Sequence, residues 1–387
     1  MSKRFFSLTA LILVFAGLAL PAVAQELHND YQGTWSAKVL EVTSEEEREI
    51  PGTGTSHLYQ TIRAEILDGP QKGEVLMMEN DYLKLKQGDK FYFNHNIYIS
   101  GDESYGIVAI NRLGPLVLLI GLFVLGVVAF GGWQGVRALI ALAGSFLAIF
   151  YILMPGILGG WNPLAASILV ASAIMFAAVF FTHGFNRESL VAYTGTMLAV
   201  LLTGILAWFS VYATSLTGFA GEESVYLNFN TGGTLDFTGL LLGAIIIGVL
   251  GVLDDIAVTQ AAVVNELYRS NSSLGKREVY ARALRVGREH VGALVNTLVL
   301  AYTGASLPLL LYFYMSPVGI AAAVNSELFA TEIVRVIVGS LGLVMTVPIV
   351  TLLAVLYLNG EGGGGHSHSH GHGVGHDHTN DDTTDSL

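Results

Sequence analysis

Apolar and polar positions follow two rhythms along the chain, and the change comes at Arg112. Before it they alternate. Between Leu58 and Leu67, Ile62, Ala64 and Ile66 are interleaved with Thr61, Arg63 and Glu65, the period of two that sends successive side chains to opposite faces of a strand. Trp35–Val42, Glu74–Glu79, Phe91–Ile99 and Tyr105–Asn111 predict further strands, with turns at Asp68-Gly69-Pro70, Gln87-Gly88-Asp89 and Gly101-Asp102. Such a run of short strands predicts a small β-barrel-like domain of OB or SH3 type over residues 25–112. Within it Glu45, Glu46, Glu47 and Glu49 read as a solvated loop, with cation binding the alternative.

After Arg112 the apolar residues come in blocks of helix length, and a bilayer core takes roughly 20 helical residues to cross. The blocks predict about seven spans: Leu113–Phe130, Ala138–Met154, Pro163–Phe181, Tyr193–Tyr212, Gly239–Val264, Val291–Tyr314 and Ile333–Tyr357. Gly131-Gly132, Pro155-Gly156, Gly159-Gly160 and Thr231-Gly232-Gly233 separate them, while Pro308 and Pro348 lie inside the last two and permit bending. The stretch from Ser316 to Ala330 is moderately apolar but holds Asn325 and Glu327; it reads as a loop, an interfacial helix or a re-entrant half-helix. The expected fold is an α-helical polytopic membrane protein over residues 113–358 carrying a small extracytoplasmic β domain.

The two ends read differently again. Lys3-Arg4, the apolar run Phe5–Leu20 and Pro21-Ala22-Val23-Ala24 predict a signal peptide over residues 1–24, with an uncleaved anchor as the alternative. Residues 359–387 are low in complexity and predict a disordered cytoplasmic tail. Its His366, His368, His370, His372, His376 and His378 could take Zn, Ni or Cu through imidazole without a fixed geometry. An accessory metal-sensing or buffering tail and an idle terminus are both consistent with it.

Composition narrows the classes. Apolar residues make up 52% and charged ones 13%, which places the chain in the membrane class with the lipid bilayer as its first partner. A net charge of −12, with basic residues gathered in one loop, excludes a nucleic-acid binder. The absence of cysteine excludes disulfides, thiol catalysis and cysteine-based zinc sites. Charge placement then orients the chain in a cell membrane. With the β domain outside, Arg137, Arg187, Arg269, Lys276, Arg277, Arg282, Arg285 and Arg288 all fall in cytoplasmic loops, as the positive-inside rule requires.

The candidate chemistry sits in Gly239–Leu267, where an apolar run is interrupted by Asp254-Asp255. Leu240–Leu253 is too short to cross alone, so the helix continues through the acids and sets two carboxylates within or at the edge of hydrocarbon. At about 100° per residue Asp254, Asp255, Thr259, Asn265 and Glu266 share a side with Gly243, Gly248 and Gly251, whereas Gln260 falls off it. On the next span Glu289, Gly292, Asn296 and Thr303 share a face. Asn296-Thr297 reaches the depth of the acids if the spans are neighbours, and the cleft so formed would open to the cytoplasm past Glu289 and His290. Adjacent acids in low dielectric do not both ionise readily, which suits proton coupling. Glu332 and Arg335, three apart, form a secondary polar pair, either structural or gating.

Gly251-Val252-Leu253-Asp254-Asp255-Ile256-Ala257-Val258-Thr259-Gln260, with Val295–Tyr302 and Leu307–Leu311, resembles the YibE/F family of multi-pass bacterial membrane proteins over roughly residues 33–358. The resemblance implies a permease-like protein, and implies that related membrane subunits can occur together. The expected function is a permease of a small solute or ion. Its transport or cation-site candidates are Asp254, Asp255, Thr259, Gln260, Glu266, Asn296 and Thr297. A homo-oligomer or a related subunit is the expected protein partner. The alternative is a non-transporting scaffold or signalling protein whose exported β domain binds a partner, with the same polar residues only knitting helices together. An enzyme is not expected. Adjacent aspartates diverge too far for a protease dyad, position 258 is Val rather than Asp, and no Ser-His arrangement lies in the spans.

Overall fold

The computed structural model describes residues 31–49, 54–81, 83–98 and 102–358. The expected signal peptide and the histidine-rich tail lie outside them. The chain divides into two compact units, one up to Ala143 and one from Gly144.

The first unit contains five antiparallel strands in the order β3-β2-β1-β4-β5: β1 Tyr31–Glu49, β2 Ser56–Ile66, β3 Val75–Asn80, β4 Lys90–Ile97 and β5 Glu103–Ile110. The alternation read from the sequence sets the register. Ala37 pairs with Ile66, Val39 with Ala64 and Val42 with Ile62, and these join Met78, Leu85, Phe91 and Phe93 around one buried core. Bulges between Val39 and Glu41 and between Val42 and Ser44 bend β1. The sheet curls until β3 and β5 approach each other, yet no hydrogen-bonded ladder joins them among the described residues. The expected barrel is therefore an open sheet.

Glu45, Glu46, Glu47 and Glu49 are not a loop. They extend β1, opposite Gln60, Tyr59, Leu58 and Ser56. Local partners make this acidic run compatible with a strand: Lys84 Nζ lies 2.5 Å from Glu45 Oε1, and the Arg48 guanidinium sits 3.6 Å over the Tyr59 ring. Hydrogen bonds from Lys84 and Gln60 hold the Glu45 carboxyl below its ordinary value.

The helices are α1 Leu113–Ala148, α2 Met154–Leu158, α3 Pro163–His183, α4 Arg187–Ala213, α5 Glu222–Asn230, α6 Phe237–Ser270, α7 Lys276–Ala305, α8 Leu307–Met315, α9 Ile320–Val324 and α10 Glu327–Tyr357, with a π-helical turn between α1 and α2. Among the described residues five helical segments are long and apolar enough to cross a membrane, six if α7 and α8 are one bent span. The sequence reading gives seven because its first two spans fall in one such segment, Leu113–Leu158. That segment is not straight. Gly132 has φ 54° and ψ −137°, and a Cβ on Gly135 would collide with the Val127 carbonyl, so the chain folds sharply at the Gly131-Gly132 break. Between Ser316 and Ala330 the chain forms the short α9 and the first turn of α10.

In the second unit α6 is central and packs on α3, α4, α7 and α10. Close approach depends on small residues at the contacts: a Cβ on Gly195 would stand 2.7 Å from Val350 Cγ2, and one on Gly342 would collide with Thr203. Glu327, at the start of α10, accepts hydrogen bonds from the Thr217 and Phe219 amides at 2.8 and 3.1 Å and so ties the loop after α4 to this helix.

Candidate functional site

Helix α6 begins where Asp236 Oδ1 accepts the Gly239 amide at 2.8 Å. Its spacing of apolar residues buries Leu250, Leu253, Ile256, Ala257, Ala261 and Val264 against the neighbouring helices. Asp254 is half-buried in this setting, and its Oδ1 has neither solvent nor a hydrogen-bond donor. Asp255, about 100° further round the helix, is exposed, and His290 of α7 lies within electrostatic reach of it. The two carboxylates therefore meet different surroundings although they are adjacent in the chain.

The remaining candidates separate. Thr259 and Glu266 are exposed on α6. Gln260 is buried, and its amide donates to the Ala283 carbonyl at 2.9 Å and to Thr351 Oγ1 at 2.7 Å, joining α6 to α7 and α10. Asn296 and Thr297 are exposed, and the Thr297 hydroxyl donates to its own helix at the Ala293 carbonyl, 3.0 Å away. Glu289, Gly292, Asn296 and Thr303 do share a face of α7, and that face is open. The side of α7 turned to the bundle instead carries Val279, Ala283, Gly287 and Leu298. No hydrogen bond joins Asp254 or Asp255 to Asn296 or Thr297 among the described residues.

The structure adds Glu188, which the pattern did not single out. Asn265 Nδ2 donates to Glu188 Oε2 at 2.8 Å, linking α6 to the first turn of α4. Beside it lies a small polar cavity of about 100 Å³, lined by His183, Asn186, Glu188, Ser189, Ala192 and Val258 among others. Asn186 Oδ1 caps α4 by accepting the Ser189 amide at 2.7 Å, and Ser189 Oγ is buried with no partner. Val258 lies one helical turn from Asp254 on the same side of α6, about 6 Å along the axis. The cavity thus lies about one turn of α6 from Asp254, which does not itself line it. Nothing in the apolar pattern marks Glu188; the Asn-x-x-Ser cap signal at Asn186 is the available hint.

At the other end of the unit Glu332 and Arg335 of α10 pair at 2.6 Å, three residues apart as their spacing predicts. Among the described residues no group of three or more His, Asp or Glu side chains is placed to hold a metal ion.

A family model described as YibE/F-like protein matches residues 119–360. Neither a curated protein nor a solved structure matches the chain.

Proposed function

The chain belongs to the YibE/F-like family, and on that footing we propose that it is a multi-pass membrane permease for a small solute or ion, with Asp254 and Asp255 coupling movement to protons or a cation. The observation that carries this reading is the Asp254 carboxylate oxygen, closed off from solvent with no donor. In a purely structural helix that arrangement is costly, and a bonded amide or an apolar side chain would serve better. In a permease the same oxygen is a place for a proton or cation to arrive. The polar cavity at Glu188 and Ser189, one turn away, is a suitable approach to it.

The membrane setting is supported by the five apolar helices. The segment Leu113–Leu158, 46 residues long, would extend about 69 Å if straight, more than twice a core of roughly 30 Å. Its fold at Gly132 suits two spans. The Lys/Arg bias favours the β sheet outside and the C-terminus in the cytoplasm. The histidine tail would then be a cytoplasmic accessory site for Zn or Ni. Thr259, Glu266, Asn296 and Thr297, exposed on α6 and α7, are available to a second copy or a related subunit. The proposed activity is movement across the membrane, without covalent chemistry.

The test is uptake by sealed vesicles containing the purified protein, with gradients of protons and of divalent cations imposed one at a time, beside protein-free vesicles. Flux above the protein-free rate is expected under at least one gradient. Its absence under all of them would leave the scaffold reading in place.

A further inference from the structure

Helix α7 ends at Ala305 and α8 starts at Leu307, and the two are bent by 61°. Pro308 accounts for the break, since it has no N–H to give to the Gly304 carbonyl. A broken helix at membrane depth is tolerated where it lines a cavity, and one is found here. It measures about 210 Å³ and lies between the break and α10. Leu310, Phe329 and Val336 supply apolar wall, and Tyr302, Ser306 and Glu332 also line it. Glu332 gives Oε1 to Arg335 at 2.6 Å, while its Oε2 has no hydrogen bond among the described residues. The position along α6 is also defined. A Cβ on Gly248 would stand 3.0 Å from the Tyr302 hydroxyl, and Gly248 is six residues, about 9 Å of helix, before Asp254. This cavity is therefore separate from the carboxylate pair.

We propose that the cavity at the α7–α8 break binds a small neutral molecule with a flat apolar body and a single N–H or O–H donor, which the free oxygen of Glu332 accepts. Size sets the body: an apolar cavity of about 150 Å³ holds benzene, so this one admits a fused two-ring molecule. Charge sets the rest. Glu332 is already balanced by Arg335, so a cationic ligand would bring an uncompensated charge into an apolar wall and an anionic one would meet the carboxylate. A neutral donor satisfies the remaining acceptor without either cost.

The test uses the full chain in detergent and two probes of nearly equal shape, indole and 1-methylindole, of which only indole carries an N–H. Binding is read by saturation-transfer NMR against protein-free micelles. Indole should bind saturably, and 1-methylindole at least about tenfold more weakly. Val336→Trp, which fills the cavity, should abolish binding of both. Glu332→Gln should bring the two probes closer together by weakening the acceptor. If Glu332→Gln does not fold, the wild-type ratio and Val336→Trp still decide. Three results would overturn the proposal: no saturable indole binding beyond that of micelles, equal binding of both probes as a cleft for lipid chains would give, or binding unaffected by Val336→Trp. None of these readouts involves flux, so the site stands or falls apart from the permease reading.

Discussion

Asp254 and Gln260 lie six residues apart on one helix and do opposite work. The Gln260 amide nitrogen bridges the Ala283 carbonyl and the Thr351 hydroxyl, whereas a carboxylate oxygen of Asp254 is buried and unengaged. Gln260→Ala should therefore cost about 1–3 kcal/mol by removing two buried hydrogen bonds. The thermal midpoint in detergent would fall while flux per folded molecule stays unchanged; lost flux at unchanged stability would place Gln260 in the pathway instead. Ser189→Ala removes a buried hydroxyl that has no partner, so its midpoint should hold or rise, and a clear drop would reveal a bond that the geometry lacks. Both Asp254 and Gln260 were legible in the sequence as polar residues in an apolar run. Their division of labour was not, because the partners of Gln260 lie 23 and 91 residues away. The link from Asn265 to Glu188, across 77 residues, was hidden for the same reason.

Elements were more legible than contacts, because periodicity is local. Each of the five expected strands is present, but the acidic end of β1 reads as a loop in the sequence; its partners are Lys84, between β3 and β4, and Tyr59 and Gln60 of β2. The α7 polar face was found by helical count, yet the count could not say that it is exposed. Packing between elements predicts that Gly342→Val, which forces α10 off Thr203 of α4, lowers stability by about 1–3 kcal/mol, measurable as a lower thermal midpoint. An unchanged midpoint would mean that the two helices are not so closely packed. In the sheet, the hydrogen bond from the Tyr105 hydroxyl, and after it His95 at 3.3 Å, hold the Glu103 carboxyl below its ordinary value of 4.5. A depressed folded value contributes stability that is fully present above about pH 4.5, the unfolded value, and is lost progressively as the pH falls from there through the lower folded value. Hydrogen exchange of the β4 and β5 amides, corrected for intrinsic rates, should lose protection below that pH in the wild type. Glu103→Gln should flatten this dependence, and identical profiles would contradict the assignment.

For the whole molecule, the proposed orientation rests on the Lys/Arg asymmetry and the proposed activity on the buried carboxylate oxygen. Orientation can be read without background, since the chain has no cysteine. In intact cells a membrane-impermeant maleimide should label Ser56→Cys in the sheet and spare Ser272→Cys between α6 and α7; the reverse pattern would invert the topology. The reading of Asp254 is tested most directly by flux. Wild type and Asp254→Asn, matched for thermal midpoint and reconstituted at equal density, are compared under whichever gradient drives the wild type. A carboxylate that receives the coupled proton or cation predicts a loss of at least about tenfold in Asp254→Asn, some 1.4 kcal/mol in the barrier. Equal flux from the two proteins would contradict that role and reduce Asp254 to a packing residue.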